Sequence, residues 1–165
     1  MPDPAAAADA DAEQRMLAER ALQYMQLQPG MPLRGLPIDV AYVGSCTNAR
    51  LSDLRVAAQV VRGRKVKPGL QAICVPGSTA IKHAAEAEGL EQVFLEAGFE
   101  WHASACGFCG RIGDDRFNNL RVISTTNRNF EGRQGRGTRT HLASAAAVAA
   151  SAPAGPHRRC QGGEV

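Results

Sequence analysis

The segment IDVAYVGSCTN, residues 38–48, decides the fold. Its first six residues are mostly apolar and β-branched, which is typical of a buried strand. A glycine and a serine then turn the chain, and residues 49–63 are predicted as a helix that ends at Gly63. Cys46 is therefore expected where a strand gives way to a helix, and free backbone N–H groups at that point face any bound negative charge.

The order of strand, turn and helix recurs along the chain. The predicted strands are residues 38–43, 70–75, 98–101 and 120–124, and the predicted helices are residues 13–26, 49–63, 79–88, 90–97 and 142–152. Because strands that alternate with helices form parallel sheets, the pattern predicts an α/β domain. Ligand sites in such domains lie at the carboxyl ends of the strands.

Composition narrows the class of protein. The chain has 165 residues, 44% of them hydrophobic and 21% charged, which favours one globular domain over residues 13–152 with a disordered N-terminus (1–12) and a flexible tail (153–165). The net charge of +3 is too small to argue for nucleic-acid binding. No apolar run reaches the roughly 18 residues that span a membrane, and no signal-peptide pattern is present, so we expect a cytoplasmic protein.

Three loops at predicted strand ends carry reactive side chains. One holds Cys46, one holds Cys106 and Cys109 in a Gly-rich stretch, and one runs from Asn127 to Arg133. If the strands are neighbours in a parallel sheet, the three loops meet at one edge of it. The sequence therefore predicts a pocket that contains three thiols, at least two guanidiniums and two or three amides.

The thiols alone leave several kinds of site open. A zinc site needs a fourth ligand, for which His102 is the nearby candidate, and a thioredoxin-like pair normally heads a helix rather than lying in a Gly-rich loop. Purely structural cysteines are a further alternative. Three thiolates also suit an iron–sulfur cluster with one open iron that acts on a substrate hydroxyl or carboxylate. Cys74, inside a predicted strand, is expected to be a buried small hydrophobe.

The arginines and asparagines also admit two interpretations. Arg128 and Arg133 are five positions apart, and guanidiniums pair bidentately with carboxylates. The alternative is a solvated basic loop or a nucleic-acid contact. Asn48 and Asn127 could donate hydrogen bonds to cluster sulfides or to a substrate, although asparagine is also a common turn residue at strand ends.

Three long motifs and one short motif stand in a characteristic order: VGSCTNARLSDLRVAAQVVRGRKV, CVPGSTAIKHAAEAEGLEQVFLEAGFEW, the short ACGFCG and STTNRNFEGRQGRGTRTHLASAAAVAASA. In this order they resemble the C-terminal part of 3-isopropylmalate dehydratase large subunits, within the aconitase superfamily. The likeness covers about residues 16–152. The run NRNFEGRQGR is similar to the isopropylmalate branch rather than to true aconitases.

The resemblance implies a three-layer domain with a mainly parallel sheet flanked by helices. It also implies a lyase that reversibly dehydrates and rehydrates a hydroxy-dicarboxylate, such as 2- or 3-isopropylmalate, in leucine biosynthesis. The implied site has a [4Fe-4S] cluster ligated by Cys46, Cys106 and Cys109, substrate carboxylates held by Arg128 and Arg133, and further contacts from Asn48 and Asn127.

Two departures from the family pattern limit what the chain does alone. Gly110-Arg111 follows the second cluster motif, where the family usually has a small apolar residue. Family large subunits are more than twice this length, and their acid–base groups lie in N-terminal domains and in a separate small-subunit-like protein, so no catalytic acid or base is assigned here. We therefore expect part of a hydro-lyase that needs these partners. The alternatives are a non-catalytic cluster- or zinc-binding module and a truncated remnant.

Overall fold

A computed structural model describes residues 11–105, 107–109 and 115–153 of the chain. These residues form one parallel sheet in the order β3-β2-β1-β4-β5, so the predicted α/β class is confirmed. The strands are β1 (Val40–Val43), β2 (Gln71–Cys74), β3 (Glu100–Trp101), β4 (Arg121–Ser124) and β5 (Arg139–Leu142). The helices are α1 (Ala12–Met25), α2 (Leu51–Val61), α3 (Thr79–Ala87), α4 (Leu90–Ala97) and α5 (Ala145–Ser151), and a 3₁₀ helix covers Asp115–Phe117.

The strand β5 was not predicted from the sequence. Its residues, RTHL, are mostly polar because the strand lies at the edge of the sheet. The helix predicted from Leu142 begins instead at Ala145, since the Ser144 side chain caps the backbone N–H of Ala147. At the other end of the chain, Asp11 caps the start of α1. The expectations for residues 1–10 and 154–165 lie outside the described residues.

The two faces of the sheet are covered differently. Ala41 and Val43 of β1 point to a core shared with α2, α4 and α5. Val40 and Tyr42 point to the opposite face, because side chains alternate along a strand. There they meet Phe108, Phe117 and Leu120, which come from the segment between β3 and β4. Phe108, which lies between the two cysteines of the CxxC motif (residues 106–109), is thus part of the hydrophobic core on the second face.

Cys74 lies on the helical face of the sheet and is fully buried, as expected. Its burial raises the pKa of the thiol, because the charged form loses its solvation. Cys74 therefore contributes to core packing. None of the helices in the described part of the chain has the length and apolar character needed to cross a membrane.

Candidate metal centre

The loops after β1 and β4 are joined at the carboxyl edge of the sheet. The hydroxyl of Thr125 accepts from the backbone N–H of Gly44 at 2.8 Å and donates to the carbonyl of the same residue at 2.6 Å. The side-chain amide of Asn48 donates to the carbonyl of Thr125 at 2.7 Å. Because Thr125 is buried, these bonds fix the turn that carries Cys46.

The loop after β2 closes on the same turn. The backbone N–H of Gly77 donates to the carbonyl of Ala49 at 3.0 Å. A Cβ atom at Gly77 would lie 3.1 Å from that carbonyl oxygen, and 3.3 and 3.4 Å from those of Ser45 and Cys46. The glycine therefore allows the two loops to approach each other closely.

Tyr42 brings the CxxC element to the Cys46 turn. A Cβ atom at Gly44 would lie 2.3 Å from the phenol oxygen of Tyr42, and a Cβ atom at Gly107 would lie 2.7 Å from it. Gly44 is two positions before Cys46, and Gly107 is two positions before Cys109. The two cysteine-bearing segments thus flank one buried phenol.

Arg133 joins the CxxC element (residues 106–109) to the segment between β4 and β5 (residues 125–138), which we call the arginine loop. Its NH2 group donates to the sulfur of Cys109 at 3.1 Å, and its Nε donates to the carbonyl of Cys109. Its NH1 group donates to the carbonyl of Arg128 at 2.8 Å. The neighbouring Gln134 is buried and donates to the carbonyl of Phe108 at 3.0 Å. The arginine loop thus holds the backbone on both sides of Cys109.

Helix α1 supports the arginine loop from outside. The hydroxyl of Tyr24 accepts from the backbone N–H of Gly132 at 2.9 Å and donates to the carbonyl of Thr138 at 2.8 Å. Arg20 also pairs with Glu131 on the surface at 3.1 Å. One tyrosine therefore fixes both ends of the segment that presents Arg133.

The predicted site residues differ in exposure. Cys46 is exposed and Cys109 is buried, with 8% of its surface accessible. Asn127 and Arg128 are both exposed, and the Arg128 side chain has no polar partner among the described residues. Cys106 lies outside the described residues. In the part of the chain that the structure describes, no three His, Cys, Asp or Glu side chains gather at a potential metal site, so the three-cysteine ligand set stays a prediction.

His102, the candidate for a fourth zinc ligand, has a different contact. Its Nε2 atom lies 2.8 Å from a carboxylate oxygen of Glu100. Its ring meets that of Phe108 edge-on, with 5.9 Å between the ring centres. One of the two ring nitrogens that a zinc ion could use is therefore already engaged.

Three residues that build this edge were missed by the sequence reasoning: Tyr42, Thr125 and Gln134. Tyr42 lies in a predicted strand and Thr125 directly follows one, so alternation along each strand could have indicated which face they occupy. Gln134 gave no signal, because its neighbours in the sequence are arginines and glycines, a composition typical of a solvated loop.

The fold and this edge together define an α/β domain in which a guanidinium group, that of Arg133, lies beside the thiol of Cys109. The chain belongs to the aconitase family: the family model described as aconitase family (aconitate hydratase) matches residues 1–155. The resemblance seen in the motifs is thereby confirmed.

Over 156 residues the chain is 61% identical to the 3-isopropylmalate dehydratase large subunit of Cupriavidus necator. The matched region makes up 94% of this chain and 58% of that protein. The chain therefore spans well under two thirds of the length of this curated relative. This relative is less than twice as long as the chain. Family large subunits were expected to be more than twice as long, so this relative is shorter than that expectation.

Proposed function

We propose that this chain is the cluster-carrying part of an isopropylmalate dehydratase-type hydro-lyase. The substrate would be a hydroxy-dicarboxylate such as 2- or 3-isopropylmalate, dehydrated and rehydrated reversibly in the leucine pathway of the cytoplasm. The observation that carries this proposal is the contact between Arg133 and the Cys109 sulfur. A group that recognises carboxylates and a group that ligates soft metals meet at the carboxyl edge of a parallel sheet.

The residues present fit an iron–sulfur cluster in their chemistry. Cys46, Cys106 and Cys109 would ligate a [4Fe-4S] cluster, since thiolates are its usual protein ligands. The N–H group of Arg133 at the Cys109 sulfur is the kind of outer hydrogen bond that tunes such sites. When bound, the cluster would supply an open iron as a Lewis acid for the substrate hydroxyl.

The chain's own side chains would then bind and orient the substrate. Arg128 is exposed and unengaged among the described residues, so it is the better placed of the two arginines to take a substrate carboxylate. Asn127 is also exposed beside it. Asn48 already uses its amide N–H for Thr125, so its main task would be to keep the Cys46 turn in place.

The acid and base of the reaction would come from other parts of the enzyme. Because the chain spans 58% of its relative, the remaining segments are candidates for these groups. A small-subunit-like protein is the expected second partner, because the relative is named a large subunit. Proton transfer requires groups within hydrogen-bond reach of the substrate, and such groups would complete the pocket.

Anaerobic purification followed by iron, sulfide and zinc analysis tests this proposal. We expect a brown protein with iron and sulfide in comparable amounts. Zinc without sulfide would support the zinc-module alternative, and a metal-free chain would support a truncated remnant. With a cluster present, the missing segments and a small-subunit-like partner should restore hydration of an isopropylmaleate-type acid. Continued inactivity of that complete mixture would contradict the dehydratase assignment.

Replacing Arg133 by alanine is expected to weaken both substrate binding and cluster retention. The variant loses a guanidinium that donates to the sulfur and the carbonyl of Cys109, so the CxxC element is held less firmly. We expect about a tenfold loss of dicarboxylate affinity, the usual order for one charged hydrogen-bonding partner. Calorimetric titration with the dicarboxylate measures affinity, and visible absorbance over time measures retention.

Arg128→Ala is the matched comparison for this experiment. Since the Arg128 side chain does not touch Cys109 within the described residues, its loss should weaken dicarboxylate binding while leaving cluster retention at the parent level. If the two variants retained the cluster equally well, the Arg133–Cys109 contact would have no part in holding the metal site.

A further inference from the structure

We propose that Glu100 is a positioning residue for Phe108 and Cys109, the last two residues of the CxxC element: it orients His102 and Arg116, and these two side chains hold Phe108 against the sheet. Phe108 directly precedes Cys109 and lies within the CxxC element. The role of Cys109 as a metal ligand rests on the proposed function. The way Phe108 is held rests on the contacts described below.

The carboxylate of Glu100 is almost fully occupied by donors. One oxygen accepts from Gln71 Nε2 at 2.7 Å and from Arg116 NH2 at 2.8 Å. The other oxygen lies 2.7 Å from the same Arg116 nitrogen and 2.8 Å from His102 Nε2. Three side chains from different parts of the chain thus meet on one carboxylate at the end strand of the sheet.

Two of these side chains continue to Phe108. The guanidinium carbon of Arg116 lies 5.0 Å from the centre of the Phe108 ring, within cation–π range. The His102 ring meets Phe108 edge-on at 5.9 Å. Phe117 of the 3₁₀ helix and Tyr42 of β1 approach the same ring at 4.8 and 6.1 Å. Phe108 is therefore enclosed and only 7% exposed.

The negative charge of Glu100 keeps His102 and Arg116 in place against the Phe108 ring. Partial burial opposes ionisation, but hydrogen bonds from His102, Arg116 and Gln71 outweigh it and lower the pKa of the carboxyl group. The ionised carboxylate accepts from all three neighbours at neutral pH. A glutamine at this position carries no charge and replaces one acceptor oxygen with an N–H group, so the ion pair with Arg116 is lost.

The accessibility of Cys109 in the metal-free chain tests this role. We would strip the metal with a chelator, alkylate the native chain with iodoacetamide and follow each thiol by peptide mass mapping. In Glu100→Gln we expect Cys109 to react about three- to fivefold faster than in the parent, the scale of one partly exposed ion-pair contact. Exposed Cys46 should react quickly in both chains, and buried Cys74 should stay protected in both.

Two further variants sharpen the test. Glu88→Gln removes another bidentate arginine pair, between Glu88 and Arg55 at 2.6 and 2.8 Å, in the helical layer away from the loop. It should leave the Cys109 rate unchanged. Arg116→Gln should accelerate Cys109, and combining it with Glu100→Gln should add little, because both act through one contact chain.

Two outcomes would overturn the proposal. One is a Cys109 rate in folded Glu100→Gln that equals the parent rate. The other is equal acceleration at Cys109 and Cys74, because that would show general loosening of the domain. Neither readout depends on a bound cluster or on turnover, so a failure of the dehydratase assignment would leave this test intact.

Discussion

Serine in place of Cys109 is expected to remove the visible absorbance of a [4Fe-4S] cluster and to lower bound iron by about tenfold or more, since a hydroxyl is a much poorer ligand for iron–sulfur iron than a thiolate. Cys46→Ser and Cys106→Ser should have the same effect if the three thiols share one cluster. Iron analysis and absorbance of anaerobically prepared protein measure the loss.

Cys46→Ser is the cleanest of these variants, because its side chain is exposed and contributes little to packing. The matched control is Cys74→Ala, which removes a thiol buried on the helical face of the sheet. That control should keep its cluster absorbance while losing some stability from the smaller core side chain. Full absorbance in Cys46→Ser would remove this residue from the ligand set.

Gly44→Ala is expected to destabilise the domain by about 2–3 kcal/mol, the cost of forcing an extra methyl group into a packed core. The new Cβ atom would lie 2.3 Å from the Tyr42 ring, and Tyr42 is fully buried, so the ring has no free space to move into. A displaced ring would also press on Gly107 and Phe108. Urea unfolding of the two chains measures the change in the free energy of unfolding.

Gly63→Ala separates crowding from backbone strain. Gly63 has a positive φ of +69° and open space around its missing Cβ, so its replacement costs only the left-handed backbone conformation, about 1 kcal/mol. Gly44 is not in that conformation. If Gly44→Ala were no more destabilising than Gly63→Ala, the close approach of Tyr42 to the Cys46 turn would be without energetic weight.

The sequence predicted the elements whose signals are local. The strand before Cys46 and the helix after it follow from β-branched residues, a turn and a helical period. The structure confirms both, although the helix begins at Leu51 rather than at residue 49. The helix predicted at 90–97 matches α4. The strand β5 was not predicted because it is short and polar, and because a long irregular loop separates it from its partner β4.

The contacts within the site were harder to predict for a physical reason. That strand-end loops meet at one edge follows from parallel topology, and the bonds among Asn48, Thr125 and Gly44 show such a meeting. Which side chain touches which depends on the path of irregular segments. Arg133 was expected to hold a carboxylate, but its contact with Cys109 depends on a loop without any periodic signal.

The packing of Phe108 beneath the sheet has a consequence for how the motif can vary. Phe108, the residue before Cys109, belongs to the hydrophobic core as well as to the CxxC motif, because its ring fills the space among Tyr42, Phe117 and Val75. We therefore expect position 108 to require a large apolar side chain, whichever metal the thiols bind. A polar CxxC sequence taken from an unrelated metalloprotein would supply the same sulfur ligands, but it would leave a cavity beneath the sheet where the Phe108 ring now packs.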